Sequence, residues 1–370
     1  MTDVGVVAIG RNEGERLRRC LASVTGRDWP VIYVDSKSTD GSAELARSMG
    51  AEVVDLDMSL PFSAARARNE GFARLMRVAP DLKYVQFVDG DCEIIDAWIE
   101  TARRELDSRP DVAVVCGRRR ERFPDASIYN RLADLEWDTP IGEAESCGGD
   151  AMMRIDAFAA VKGFDPSVAA GEEPELCQRL REKGWKVLRI DPEMTLHDSA
   201  ILSFGQWWKR AVRSGYGAAD VATRFGHRGL FVKQMRSAQV WAAGWTSCVV
   251  GMFLLSVINY VTPPFRMPWA FALKWASFYT AIVVAILPLQ MLRVAIRARR
   301  RLPDWRTALA YGFLTMIGKW ANWIGQVQYG RDRRAGRNTR LIEYKAPATA
   351  GGGLTPSPLD TGERGQESHA

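Results

Sequence analysis

The sequence predicts an α/β protein with a mainly parallel sheet, followed by a helical region that enters a membrane. Three observations support this prediction. Short apolar runs rich in β-branched residues alternate with helix-like segments over the first third of the chain. Acidic side chains follow several of these runs at the point where the run ends. The stretch 237–265 contains no charged residue, although charged residues are frequent before it.

Four strands are predicted in the first third, at 4–9, 31–34, 51–56 and 84–88. The segments between them have helical periodicity, and in 63–78 it places Ala67, Gly71 and Leu75 on one face. Alternating strands and helices indicate parallel strands joined by right-handed crossovers.

The fourth strand ends in Asp89-Gly90-Asp91. Residues two apart on a strand point to the same side, so both carboxylates project together from its carboxyl end. Hard oxygen ligands suit Mg²⁺ or Mn²⁺, and such an ion binds a diphosphate. Asp and Gly also dominate ordinary turns, so the motif alone leaves both interpretations open.

Polar residues also follow the first two strands, namely Asn12 and Glu13 after the first and Asp35 after the second. Ligands of parallel sheets bind at the carboxyl ends of the strands, where carboxylates accept from ribose hydroxyls. Arg68, in the first turns of the third helix, is a candidate to neutralise phosphate. A local role in turns and helix caps remains the alternative for Asp35. No Gly-x-Gly-x-x-Gly follows the first strand and no Gly-Lys-Ser/Thr loop occurs, which disfavours the usual nucleotide folds.

Several ordered motifs resemble glycosyltransferase family 2, whose fold is GT-A. They are Val-Val-Ala-Ile-Gly-Arg-Asn-Glu-Gly, Val-Asp-Ser-Lys-Ser-Thr-Asp-Gly-Ser, Ala-Arg-Ala-Arg-Asn-Glu-Gly-Phe, Phe-Val-Asp-Gly-Asp, Val-Lys-Gly-Phe-Asp and Gly-Glu-Glu-Pro-Glu-Leu. The resemblance covers about residues 3–200. It is strongest to membrane-attached bacterial enzymes of exopolysaccharide assembly, of the succinoglycan type.

The resemblance implies a nucleotide-diphospho-sugar donor, a divalent cation (Mn²⁺ or Mg²⁺) and inversion at the anomeric carbon. The donor-binding residues that it implies are Asn12, Glu13, Asp35, Arg68, Asp89 and Asp91. Within that set the resemblance assigns Asp35 and Glu13 to contacts with the nucleoside and Arg68 to the donor pocket. It assigns Asp89 to the nucleotide-sugar and Asp91 to the metal. His197 falls where many GT-A enzymes place a late metal or diphosphate contact, although a structural histidine is an equal alternative.

The acceptor is expected to bind the second half of this domain. The glycines Gly148 and Gly149 allow a close approach of backbone to a sugar, and Asp150 is a candidate for its hydroxyls or for a loop cap. Position in the family pattern makes Glu173 the catalytic base. The family usually has Asp there, which leaves Glu172 as a substitute. Both glutamates also suit an ordinary helix start.

The helix near residue 204 contains the residue types of the Gln-x-x-Arg-Trp motif of processive synthases, but in another order. This favours addition of one sugar over processive synthesis. Trp207 on this helix is expected to stack on an acceptor ring or to lie at lipid headgroups.

Residues 1–236 are predicted as the catalytic domain, with a donor half (1–118) and an acceptor half with a linking helix (119–236). A membrane region follows at 237–345, with spans near 240–261 and 269–292 and an interfacial helix near 307–328; the tail 346–370 is expected to be disordered. Basic clusters flank both spans, so the catalytic domain is predicted to be cytosolic.

The net charge of +6 is explained by these clusters at an anionic membrane, without nucleic acid. The six scattered cysteines fit a reducing compartment.

The sequence therefore predicts an inverting, metal-dependent glycosyltransferase of a bacterial inner membrane, with more than one span. It is expected to move one sugar to a polyprenyl-diphosphate-linked glycan. The alternatives are a membrane-anchored protein that binds a nucleotide-sugar without turnover and a processive polysaccharide synthase. A glycoside hydrolase with paired carboxylates fits poorly, because the polar strand ends would have no role.

Overall fold

The computed structural model describes residues 3–226, 229–261 and 269–337. The predicted break at 262–264 and the tail 346–370 lie outside these residues. The strands are β1 Val4–Gly10, β2 Val31–Asp35, β3 Glu52–Asp55, β4 Tyr84–Asp89, β5 Cys92–Ile94, β6 Val112–Glu121, β7 Gly142–Glu143, β8 Met152–Arg154 and β9 Lys186–His197. The helices of the first 224 residues are α1 Glu15–Val24, α2 Ser42–Ser48, α3 Ala64–Val78, α4 Trp98–Ser108, α5 Ile128–Trp137, α6 Ile155–Ala160, α7 Glu172–Glu182 and α8 Phe204–Arg224.

Within the described residues the strands form one sheet in the order β3-β2-β1-β4-β8-β6-β9-β5, with β7 paired to β9. β3, β2, β1 and β4 are parallel to one another, and β6 is parallel to β9. β8 runs antiparallel between β4 and β6. The predicted α/β fold with a mostly parallel sheet is confirmed, and the four predicted strands are β1 to β4.

The register of the sheet places three strand ends side by side. Gly10 at the end of β1 pairs with Asp35 of β2, and its neighbour Ile9 pairs with Asp89 of β4. α3 packs against this part of the sheet, and a Cβ at Gly71 would overlap the side chain of Val7. The helical face predicted in this segment is therefore the buried one, which fixes where the first turn of α3 meets the site.

The helical region begins with α9 (Val232–Ala238), a π-helical turn (Gln239–Gly244) and α10 (Trp245–Val261), and continues with α11 (Trp269–Ala298) and α12 (Trp305–Arg334). Among the described residues two helical segments, Val232–Leu255 and Phe278–Ala298, have the length and apolar composition needed to cross a membrane. They overlap the two predicted spans, but the first begins earlier and the second ends later. Large apolar side chains on both segments are exposed, Phe253 and Leu289 among them.

α12 covers the predicted interfacial helix and packs against α8 and α11. Its buried face consists largely of small residues, because Gly325 lies directly on the α8 backbone and Gly312 on the α11 backbone. Leu309 and Phe313, at the start of the predicted apolar stripe, are about half exposed. The helix therefore uses its small residues for packing and leaves part of the large apolar stripe uncovered. An interfacial location stays a prediction.

Candidate active site

A cavity of about 550 Å³ opens at the carboxyl ends of β1 and β4. Its walls come from the loops after these strands, from α3, from the start of α7 and from one face of α8. The polar side chains that line it are Arg11, Asn12, Glu13, Arg16, Ser36, Arg68, Asp89, Asp91, Arg119, Glu172, Glu173, His197, Arg210, Arg213 and Ser214. Most of the predicted catalytic, donor and metal residues are therefore brought together, from segments as far apart as residues 12 and 197.

The loops after β1 and β2 are joined by hydrogen bonds. The Asn12 Oδ1 accepts from the Thr39 backbone N–H at 2.7 Å, and the Asn12 N–H donates to Ser38. Asp35 is 3% exposed and accepts from the Tyr33 hydroxyl at 3.2 Å and from the Ser38 N–H at 2.7 Å. Both residues thus shape these loops, which is the local role that sequence left open for Asp35. Asp35 does not line the cavity, whereas Asn12 does.

Arg68 is the buried centre of the acidic side of the cavity. Its guanidinium donates to Asp89 Oδ1 at 2.7 Å and to Glu172 Oε1 at 2.9 Å, and it lies 3.2 Å from Glu173 Oε1. The three carboxylates raise the pKa of Arg68, whereas burial, the largest single influence, lowers it. Only 2% of the side chain is exposed. In this structure Arg68 orients three carboxylates, and it also lines the cavity, so its predicted contact with a phosphate stays a prediction.

Asp150 forms the floor beneath these residues. It has no exposed surface, and its carboxylate accepts from the Asp89 N–H at 3.1 Å and from the Thr195 hydroxyl at 2.9 Å. Arg119 Nη2 pairs with it at 2.7 Å. The prediction that Asp150 binds an acceptor is wrong for this structure, because every path to its carboxylate is covered.

The two preceding glycines have different surroundings. A Cβ at Gly149 would lie 2.6 Å from both Arg68 Nη2 and Asp89 Oδ2, so the close approach that it allows is to this ion pair. Gly148 is exposed, and a Cβ there would lie 3.2 Å from Arg119 Nη2. Neither glycine is among the residues that line the cavity, and the predicted sugar contact of Gly148 and Gly149 stays a prediction.

Asp91 and His197 meet at the far side of the cavity, where β5 pairs with β9. His197 Nε2 lies 3.2 Å from Asp91 Oδ2, and both side chains are less than a tenth exposed. Burial, and then the nearby charge of Arg119, lowers the pKa of His197 to about 4, so its imidazole is neutral at pH 7. The other ring nitrogen, Nδ1, has no hydrogen-bond partner among the described residues. A neutral imidazole beside a carboxylate is a donor pair that suits a divalent cation such as Mn²⁺.

Glu172 and Glu173 begin α7 after Gly171, whose φ of +88° is the left-handed conformation. Glu172 is buried against Arg68, whereas Glu173 keeps 16% of its side chain exposed to the cavity. Burial, and then the charge of Glu172, raises the pKa of Glu173 to about 7, although Arg68 opposes this shift. Glu173 is therefore a carboxylate whose proton affinity matches neutral pH.

α8 packs against the segment that leads into α7, since a Cβ at Gly217 would lie 2.5 Å from the carbonyl oxygen of Ala170. Arg210 and Arg213 line the cavity from α8, and Arg210 pairs with Glu136 at 3.0 Å. Trp207, one turn earlier, is only 7% exposed and packs in an apolar cluster with Leu132, Ile201 and Leu314. Its predicted stacking on an acceptor ring and its headgroup alternative are both wrong for this structure, because α5 and α12 cover the ring.

Sequence reasoning missed the aromatic and basic residues that the fold brings to this site. Trp137 lies at the end of α5, and its ring centroid is 4.7 Å from that of His197. The Cζ of Arg119 lies over the Trp137 ring, 5.7 Å from its centroid. The run Arg118-Arg119-Arg120 at the end of β6 was the available signal for Arg119. For Arg210 and Arg213 the signal was their spacing of three residues, which places them on one helical face.

Residues 6–162 match the family model described as Glycosyl transferase family 2. Over 231 residues the chain is 23% identical to glycosyltransferase AglE of Haloferax volcanii, covering 59% of this chain and 73% of that protein. Succinoglycan biosynthesis protein ExoA of Rhizobium meliloti is 26% identical over 225 residues, which are 58% of this chain and 66% of the relative. Pre-mycofactocin glycosyltransferase of Mycobacterium tuberculosis is 30% identical, but the chain spans only 48% of its length.

The fold is also that of a solved structure, mannosyltransferase PcManGT from Pyrobaculum calidifontis in complex with GDP-Man and Mn²⁺. The TM-score is 0.52 at 17% sequence identity, with 88% of this chain and 87% of that chain covered. The likeness extends beyond the matched family domain and establishes the GT-A-like fold.

Proposed function

Because residues 6–162 match the Glycosyl transferase family 2 model, we propose that the chain is an inverting, metal-dependent glycosyltransferase. In this proposal it moves one sugar from a nucleotide-diphospho-sugar to a lipid-linked glycan in bacterial polysaccharide assembly. The observation that carries the proposal is that one cavity is lined by Asp91, His197 and Glu173 together.

Asp91 and His197 are the residues that would hold the cation, with Asp89 as a further ligand. A divalent cation at this place supplies positive charge for the diphosphate that departs. The relative PcManGT, which has this fold, was solved with GDP-Man and Mn²⁺, which supports a metal and a nucleotide-sugar here. Arg68 keeps Asp89 oriented from below, and Asp150 holds the backbone of the same residue.

Glu173 would act as the base. Its carboxylate takes the proton of an acceptor hydroxyl as that oxygen bonds to the anomeric carbon. The bond from that carbon to the diphosphate breaks at the same time, and its electron pair leaves with the nucleoside diphosphate. One such displacement inverts the configuration of the sugar. Glu172 forms an ion pair with Arg68 at 2.9 Å and is placed to orient Arg68 rather than to take the proton.

The test uses the purified full chain and a panel of nucleotide-sugars, with and without Mn²⁺. A ligand that binds only the folded state raises the unfolding temperature, so one donor is expected to stabilise the protein in a metal-dependent way. Turnover of that donor then separates an enzyme from a protein that only binds nucleotide-sugar. Stabilisation without any turnover, in the presence of membrane lipid extract as acceptor source, would overturn the proposed function in favour of the binding protein.

A location in a bacterial inner membrane, with a cytosolic catalytic domain and more than one span, is part of the proposal. Its support is the pair of apolar helical segments, the exposed apolar side chains on them and the likeness to ExoA. Cysteine labelling tests it after Cys248, the exposed cysteine among the described residues, is replaced by serine. A new cysteine at Thr262 is expected to react from the periplasm and one at Gly336 only from the cytosol. Reaction of both from the same side would contradict the hairpin.

A further inference from the structure

One face of α8 forms a cationic wall of the cavity. The residues that line the cavity from this helix are Arg210, Arg213, Ser214, Gly217 and Ala218. Their spacing of three and four residues is that of one helical face. Gly217 allows the backbone of Ala170 to approach α8 closely, and the two arginines make this part of the lining basic.

Other elements contribute four acidic side chains to the same cavity, namely Asp89, Asp91, Glu172 and Glu173. Arg68 and Arg119 compensate these carboxylates from below, where Arg68 is 2% and Arg119 is 15% exposed. The proposed donor diphosphate belongs to the Asp91 side. The arginines of α8 line the same cavity from another element and are not among the residues proposed for the metal.

The other face of α8 is attached to the apolar helices. Gly215 lies against the backbone of Asn322, and Gly325 lies against the backbone of Val212, with no room for a Cβ at either glycine. α12 in turn packs on α11, whose exposed side chains include Ile282, Leu289 and Ile296. A single helix thus joins the cationic wall to the part of the protein proposed to lie in the membrane.

We propose that Arg210 and Arg213 bind a phosphate group of the acceptor, and that this phosphate carries a lipid chain. The inference rests on the proposed function and specifies its acceptor site. A guanidinium offers two parallel N–H donors that match phosphate oxygens, which a neutral sugar acceptor would not require. Arg210 pairs with Glu136 in this structure. The two side chains are 28% and 45% exposed, so phosphate binding would replace a partly exposed ion pair.

Farnesyl phosphate is the probe, with farnesol as its uncharged counterpart and inorganic phosphate as its lipid-free counterpart. Full-length protein in detergent is titrated by calorimetry with each, both without nucleotide and with Mn²⁺ and a saturating nucleoside diphosphate. The variants are Arg210→Gln and Arg213→Gln, with Arg→Lys at each position as the conservative change. Lys209→Gln is the matched control, because Lys209 is an exposed cation on the same helix that does not line the cavity.

Farnesyl phosphate is expected to bind saturably and farnesol not to bind. Each Arg→Gln variant should weaken farnesyl phosphate at least about tenfold, each Arg→Lys variant less, and Lys209→Gln not at all. The affinity for the nucleoside diphosphate should stay unchanged in all variants. This affinity tests the proposed function separately, and it also shows that each variant is folded. Equal binding by inorganic phosphate would overturn the lipid-linked source. Loss of nucleoside diphosphate affinity with intact farnesyl phosphate binding would assign the arginines to the donor and overturn the proposal.

Discussion

The Oδ2 of Asp91 lies 3.2 Å from Nε2 of His197, although 106 residues separate the two in sequence. If these atoms hold the cation, Asp91→Asn and His197→Gln should each weaken Mn²⁺-dependent stabilisation by a donor at least about tenfold. Neither change should prevent folding. Asp96→Asn is the control, because its carboxylate is 94% exposed and lies outside the cavity. Turnover that persists undiminished in a metal chelator would contradict the assignment.

The pH dependence of transfer should report the ionisation of Glu173, whose pKa is raised to about 7. A base accepts a proton only when it is ionised, so kcat/KM is expected to fall about tenfold per unit as pH drops below that pKa. Glu173→Gln should reduce transfer by at least about a hundredfold and abolish this acidic limb, with donor affinity retained. Glu173→Asp should keep part of the activity.

The matched variant for the base is Glu172→Gln. The negative charge of Glu172 helps to raise the pKa of Glu173, and its removal also leaves Arg68 with fewer carboxylates to compensate, which favours the ionised form of Glu173. The acidic limb should therefore move to lower pH, with a milder loss of rate than in Glu173→Gln. If Glu172→Gln is the inactive variant and Glu173→Gln turns over normally, the base is Glu172. Normal turnover in both would mean that the acidic cluster only begins α7.

Removal of the Asp150 carboxylate should destabilise the protein as well as the site. Asp150 has no exposed surface, and Asp150→Ala leaves Arg119 without its ion-pair partner. Loss of one partner of a buried pair costs about 3–5 kcal/mol. The unfolding temperature should fall clearly, whereas Asp81→Ala, at an exposed position, should leave it nearly unchanged. Equal unfolding temperatures for the two variants would show that Asp150 is not the floor of the site.

Two glycines of α12 offer a matched test of its contact with α8. A Cβ at Gly325 would overlap the backbone of Val212 and Tyr216, whereas nothing lies within 4 Å of one at Gly330. In a helix interior Gly→Ala is favourable by about 0.5–1 kcal/mol when space is available. Gly330→Ala should therefore raise the unfolding temperature slightly, and Gly325→Ala should lower it. A rise in both would mean that α12 does not pack on α8 at this point.

The alternation of apolar strands and helices was enough to predict the sheet, because periodicity and strand ends are local properties. Since parallel strands present their carboxyl ends at one edge, the meeting of Asn12, Asp89 and Asp91 also followed from the sequence. The meeting of His197 with Asp91 was expected only through the family resemblance, since no local pattern connects positions so far apart.

The exposure of each polar or aromatic side chain was decided by the tertiary structure alone. Asp150 and Trp207 have residue types and contexts suited to sugar binding, yet β-strands cover the first, and α5 and α12 cover the second. Arg213 lies on the same helix as Trp207 and faces the cavity. Which side of a helix meets solvent depends on segments that fold against it from elsewhere in the chain. A sequence pattern specifies that the two sides differ, whereas packing determines which one becomes a binding wall.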